Sequence, residues 1–228
     1  QSEKELREAA CQYFGAVSGL DEQFGRLLDY LKKKELLDNT IILLTADHGE
    51  HLGSHGYVGK HTWFEESIGI PFILRYPSKV PQGKNNIFIQ TVDIFPTLFG
   101  IMGIAIPDTV QGRDLSKYIE NGTRPEQDRA FSSAYVSRDI FLEAYKNTGK
   151  DFRKSGWRCI KTPEYKYVIE KGYMPNCQVR HWLYSRENDP YEMTPLITND
   201  FKENEVMKKL HEELWAHLIE IGDMIYLS

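Results

Sequence analysis

The chain has 228 residues, 41% hydrophobic and 27% charged, which suits one large globular domain or a medium domain plus a small one. Its net charge of -5 offers none of the basic excess that nucleic acid or an anionic membrane calls for, so neither is expected as a partner. The longest apolar runs are far too short to span a bilayer, so no transmembrane segment is expected. The chain begins at Gln1 instead of Met, which leaves the compartment open. Cys11, Cys159 and Cys177 form an odd, sparse set without metal-finger spacing. Reduced thiols are expected, with a Cys159–Cys177 bridge as the alternative.

In chain order, residues 3–37 read as a helix. Tyr13, Val17, Leu20, Phe24, Leu27, Leu28 and Leu31 recur every three or four residues, and polar residues fill the other side. Cys11 lies near that apolar face and reads as a small buried hydrophobe. Lys32, Lys33 and Lys34 suit the helix C-terminus, and Asp38 and Asn39 then turn the chain. The run 40–46 is short, apolar and rich in β-branched residues, which reads as a buried strand of a parallel sheet. A second apolar run, 70–76, tolerates Pro71 at its start. Residues 91–102 read as a helix with Asp93 and Pro96 near its N-terminus. After about residue 129 short aromatic segments alternate (157–161, 165–169, 182–184), which predicts a small antiparallel sheet. Val206, Leu210, Leu214, Leu218 and Ile221 form the stripe of a closing helix, 201–221.

The stretch 45–67 carries the chemistry. Asp47 is an oxygen ligand and His48 a nitrogen ligand, both just beyond a strand, where open α/β sheets bind ligands. Gly49, Gly53, Gly56 and Gly59 let the backbone turn sharply, and Lys60 returns a cation to the same place. A metal ion and a lysine together suit an oxyanion such as sulfate or phosphate. Taken alone, Asp-His-Gly is an ordinary turn and Lys60 an ordinary surface lysine. His51 reads as a loop or second-sphere histidine, whereas His55 and His61 flank Gly56 and Lys60 and are candidates to face the substrate. Trp63 and Phe64 read as core beneath the loop, and Glu65 and Glu66 as residues that orient it or start a helical turn.

This stretch resembles the sulfatase family of the alkaline phosphatase superfamily. The matching residues are Thr45, Asp47, His48 and Gly49, then Lys60, then Phe64-Glu65-Glu66-Ser67 and Pro71. The likeness continues in order through Val92-Asp93-Ile94-Phe95-Pro96-Thr97-Leu98, Gln111-Gly112-Arg113-Asp114-Leu115, Tyr165-Lys166-Tyr167, Leu183-Tyr184 and Asp189-Pro190-Tyr191-Glu192. Each short match is weak, but matches that keep family order along most of the chain make a strong joint signal. The resemblance implies that Asp47 and His48 are metal ligands and that Lys60 is the catalytic residue contacting the sulfate or phosphate group. Calcium is the implied metal, with manganese, magnesium and zinc as alternatives, because an imidazole ligand widens the choice.

The family's Cys/Ser-x-Pro-x-Arg motif, source of its formylglycine nucleophile, is absent from the chain. The resemblance therefore implies the C-terminal part of a sulfatase, inactive alone. The expected fold is α/β. Residues 1–130 would be part of an alkaline-phosphatase-like sheet sandwiched by helices, and 131–228 a small antiparallel sheet with a terminal helix. Self-association through surface exposed by truncation is a further expectation. The implied partner of the parent protein is a sulfated small molecule or glycan. The alternatives are a phosphonate or phosphate monoester hydrolase, a non-catalytic module that binds glycans, or a segment that folds only with a partner chain.

Overall fold

A computed structural model describes residues 2–134, 143, 146–147, 149, 155–172 and 178–223. They form a mixed α/β structure of two compact units, one comprising 1–60 and 69–125, the other 61–68 and 126–228.

In the first unit, helix α1 (Glu3–Lys33) starts at a reciprocal cap. The Ser2 hydroxyl accepts from the Glu5 amide, and the Glu5 carboxylate accepts from the Ser2 amide. Lys32 and Lys33 occupy its last turn. The apolar face read from the spacing exists, but no described residue of α1 is buried, and Phe14 and Leu20 are 62% and 66% exposed. Cys11 is exposed too, which corrects its reading as a buried hydrophobe. Periodicity selects a helix face; it does not supply what covers that face.

Strand β1 (Ile42–Thr45) pairs with β2 (Phe72–Arg75), Ile42 opposite Arg75 and Thr45 opposite Phe72. This pairing is antiparallel and β1 is only half-buried, so the expectation of a strand covered on both faces of a parallel sheet is corrected. A four-residue apolar run has the same composition in either kind of pair.

Helix α2 (Glu65–Ile68) belongs to the second unit. Helix α3 (Thr91–Met102) has the predicted bounds. Its Asp93, 1% exposed, closes a capping box at Gln90 and also accepts from the Arg113 backbone amide (2.8 Å) and guanidinium (2.7 Å). The Thr97 hydroxyl donates to the Arg113 carbonyl and accepts from the Leu115 amide. Pro96 has no N–H to offer the Val92 carbonyl one turn earlier, and the Gly112 backbone lies against that carbonyl. A Cβ on Gly112 would sit 1.8 Å from the Val92 oxygen. The Asp-x-x-Pro-Thr-Leu and Gly-Arg matches are thus two sides of one structural lock. Helix α4 (Ser116–Asn121) follows and ends at Gly122 in the left-handed region.

The second unit is a five-stranded antiparallel meander. It runs in order through β3 (Ala130–Ala134), β4 (Gly156–Lys161), β5 (Tyr165–Lys171), β6 (Val179–Ser185) and β7 (Leu196–Thr198). Helix α5 (Glu205–Glu220) is N-capped by Asn204. It buries Met207, Leu210, Leu214 and Leu218 against Ile160, Tyr167, Ile169 and Leu183. Side chains alternate along strands, so Trp157, Cys159, Val168 and Tyr184 face the other way and pack with Trp63 and Phe64. The predicted antiparallel sheet with its terminal helix is therefore observed. Arg158 and Asp223 form an ion pair with neither side chain exposed. Cys159 is a free thiol, and burial pushes its pKa up to about 12. Cys177, its suggested partner, lies outside the described residues.

Candidate active site

Strand β1 delivers the chain to Asp47 and His48. The Asp47 carboxylate accepts from the His48 amide at 3.0 Å. The His48 Nδ1 lies 2.8 Å from the Gly49 carbonyl oxygen. A carbonyl only accepts, so Nδ1 carries the proton and Nε2 presents its lone pair. That tautomer is the one a metal-binding imidazole needs, and the backbone carbonyl orients the ring as metal-bound histidines are usually oriented. Nε2 lies 3.3 Å from an Asp47 oxygen, and the Asp47 side chain is 85% exposed, open to a ligand.

The loop then folds back on itself. The His51 amide donates to the Gly59 carbonyl (2.9 Å), the Gly59 amide to the Glu50 carboxylate (2.6 Å), and the Gly53 amide to the Tyr57 carbonyl (2.9 Å). Leu52, His55 and His61 have positive φ, as do Gly53, Gly56 and Gly59. Such residues are sparse in ordinary loops and collect where function holds the backbone. The fold-back returns Lys60, whose ammonium sits 2.6 Å from His48 Nε2. Asp47, His48 and Lys60, the sequence candidates, are brought together.

Asp47 and His48 supply two donors of a type that binds divalent cations. Among the described residues no group of three such side chains could hold an ion. The Lys60 ammonium already places a positive charge on the Nε2 lone pair, beside the Asp47 carboxylate. The donor types fit a divalent cation, but two are fewer than such an ion needs, and Nε2 is here taken by Lys60.

The other candidates fall differently. His51 is 2% exposed, with its ring against Tyr57 and His55, inside the loop. His55 is half-buried at φ +54. His61 is exposed and begins the second unit, where its carbonyl accepts from the Trp157 indole at 2.9 Å. Trp63 and Phe64 are core residues, and Glu65 starts α2. Burial raises the Glu65 carboxyl's pKa, but Lys161 and Lys166 outweigh it and hold that pKa below its ordinary value. Glu50 was not legible as a loop-closing residue, because a glutamate beside a glycine-rich loop has no local signature.

Comparison with known proteins places these residues in context. A family model described as Sulfatase matches residues 1–104, and one described as N-sulphoglucosamine sulphohydrolase, C-terminal, matches 53–220. An endo-4-O-sulfatase of Bacteroides thetaiotaomicron is 30% identical over 96% of this chain and 43% of its own length. The structure of BT4656 in complex with its substrate D-glucosamine-2-N,6-O-disulfate matches with TM-score 0.69 at 28% identity, covering 92% of this chain and 39% of that one. The phosphonate monoester hydrolase of Agrobacterium radiobacter matches with TM-score 0.79 at 27% identity, covering 94% and 42%. The chain thus spans about two fifths of the length of these relatives. Among the described residues no helix is long and apolar enough to cross a membrane.

Proposed function

The chain belongs to the sulfatase family, and from that premise we propose that it is the C-terminal part of an enzyme that hydrolyses sulfate esters of small molecules or glycans. The observation that carries the proposal is the convergence of Asp47, His48 and Lys60, with Lys60 Nζ 2.6 Å from His48 Nε2. Residues 1–130 contribute to the catalytic domain and 131–228 form its C-terminal subdomain.

Asp47 and His48 would hold a divalent ion, calcium first, with manganese, magnesium or zinc as alternatives. When bound, the ion supplies Lewis-acid charge to the ester oxygens. Lys60 contributes a mobile cation on a fixed backbone. The Nε2 lone pair that Lys60 contacts is the one the ion would take, so with the ion in place the ammonium would be free for a non-bridging oxygen of the bound ester. The backbone carbonyl of Gly49 keeps the His48 tautomer constant meanwhile. His55 and His61 are proposed to face the substrate. The nucleophile, a formylglycine in the family, has no motif in these 228 residues.

The test is Lys60→Ala in the full-length protein with an aryl sulfate as substrate. Removing one preorganised charge contact of this kind typically costs about 10²- to 10³-fold in kcat. Turnover within a few fold of the unsubstituted enzyme would leave Lys60 without its role. The likeness to the phosphonate monoester hydrolase favours a second reading, hydrolysis of phosphonate or phosphate monoesters. Relative turnover of an aryl sulfate and an aryl phosphonate separates the two.

A further inference from the structure

Twelve positions separate His48 from Lys60, yet their side chains meet. Both residues, and the loop between them, belong to the first unit. The loop is closed at Gly59. Its amide donates to the Glu50 carboxylate at 2.6 Å, and its carbonyl accepts from the His51 amide at 2.9 Å. That carbonyl is part of the peptide that ends at the Lys60 nitrogen. The backbone leading into the lysine is thus tied to the two residues that follow His48 and Gly49.

The Glu50 bond adds what the backbone bond alone lacks. Gly59 sits at φ +83, and a Cβ built on it would meet nothing within 4 Å, so the glycine serves its backbone conformation and not a shortage of space. Held by its carbonyl alone, a glycine still swings about its other bond. With Glu50 on the amide and His51 on the carbonyl, both peptide planes that flank Gly59 are held, which sets its φ and ψ together. A carboxylate acceptor makes this bond charge-assisted, shorter and stronger than a neutral one. The closure also works against strain, since Leu52 and His55 lie at φ +50 and +54, which such residues adopt only at a cost. Strained residues persist only where their surroundings over-determine them. Among the described residues no group of three acidic, histidine or cysteine side chains could hold an ion, so Glu50 does not join Asp47 and His48 as a third ligand.

We infer that Glu50 is a positioning residue for Lys60. It fixes Gly59, and through it the backbone of the lysine, relative to Asp47 and His48. Its effect on the ester passes through Lys60. The inference rests on the reading of Lys60 as the residue that contacts the anion. A small displacement of such a group weakens transition-state contacts more than ground-state ones.

The experiment uses three variants of the full-length protein. Glu50→Ala removes the acceptor, Glu50→Gln keeps an acceptor oxygen without the charge, and Gly59→Ala leaves Glu50 in place but asks alanine to adopt a left-handed φ. Hydrogen exchange of residues 50–60 is followed by mass spectrometry, and kcat and KM are measured with 4-nitrophenyl sulfate. For Glu50→Ala the expected result is exchange faster by about tenfold in 50–60 with α3 unchanged, kcat lower by on the order of ten- to a hundredfold, and KM within about threefold. Glu50→Gln should restore the exchange and bring kcat to within about fivefold of the unsubstituted enzyme, and Gly59→Ala should follow Glu50→Ala. If Glu50→Ala also loses protection in α3, the other two variants carry the test. Unchanged exchange in Glu50→Ala would overturn the closure, and faster exchange with normal kcat would overturn the positioning role. Glu50→Gln as slow as Glu50→Ala, with normal exchange, would mean that Glu50 acts through its charge and would overturn the inference too. No turnover by the unsubstituted protein would defeat the functional reading, and the positioning role with it.

Discussion

Acid should loosen the joint between the C-terminal sheet and helix α5, through one histidine pair. The Tyr167 hydroxyl lies 2.6 Å from His181 Nδ1 and 2.9 Å from His211 Nδ1. A phenol has one proton, so it donates to one ring and accepts from the other. Burial raises the Tyr167 pKa, which keeps the phenol protonated throughout. Burial also lowers the pKa of both histidines, and His181 and Lys202 push His211 further down, to about 4. Asp200 opposes the shift at His181 only in part. The folded state therefore favours neutral His211, whereas the unfolded chain protonates it near its ordinary value of about 6.5. Stability from this group is complete above the unfolded pKa and is lost as pH falls towards the folded one. The linkage amounts to about 2 kcal/mol between pH 7 and pH 5, and solvent screening of a half-buried ring reduces it to roughly 1–2 kcal/mol. The control is His211→Phe, which keeps a ring in the stack between Phe201 and Trp215 and removes the titration. Urea unfolding at both pH values gives the stability of the two proteins. Their difference should shrink by that amount on acidification. A difference that stays constant would refute the argument.

Three further outcomes are expected. Asp223→Ala strands the buried Arg158 guanidinium, which also donates to the carbonyls of Ala134, Ser155 and Trp157. Calorimetry should show a loss of about 3–5 kcal/mol, and a loss under about 1 kcal/mol would mean that these carbonyls suffice. Gly112→Ala drives a methyl into the Val92 carbonyl and should cost about 1–3 kcal/mol, whereas Gly15→Ala, with open space around it in α1, should stabilise by roughly 0.5–1 kcal/mol. Opposite signs in thermal melts check both. Iodoacetamide at pH 8 should modify exposed Cys11 and spare Cys159, whose thiol burial holds protonated; peptide mapping of the native protein reads this directly.

The elements most legible in the sequence are those whose pattern is local. The stripe from Val206 to Leu218 and the alternation around Trp157 and Tyr167 report a face and a period, and the structure uses both. The convergence of His48 and Lys60 was legible as well, because four glycines between them permit the fold-back that puts them 2.6 Å apart. Pairing direction was not: β1 is too short for composition to tell parallel from antiparallel. Nor was the fate of the α1 face, since a helix can carry an apolar stripe whether or not anything described here covers it.

The hold of the C-terminal sheet on residues 61–68 was illegible for a different reason. Trp157, Lys161 and Lys166 lie roughly a hundred positions downstream of the residues they hold, on alternate positions of two strands. In sequence they read as ordinary strand residues: an aromatic and two lysines. Only the pleat puts Trp157 and Lys166 on the face that meets Trp63, while Arg158 and Tyr167, their immediate neighbours, turn towards α5 and the chain end. The same alternation therefore builds two structures from one pair of strands. One face carries the lysines that pair with Glu65 in the turn after Lys60; the other carries the helix whose acid sensitivity is predicted above. A one-residue slip of β4 against β5 would exchange the two faces, so register is the property on which both depend.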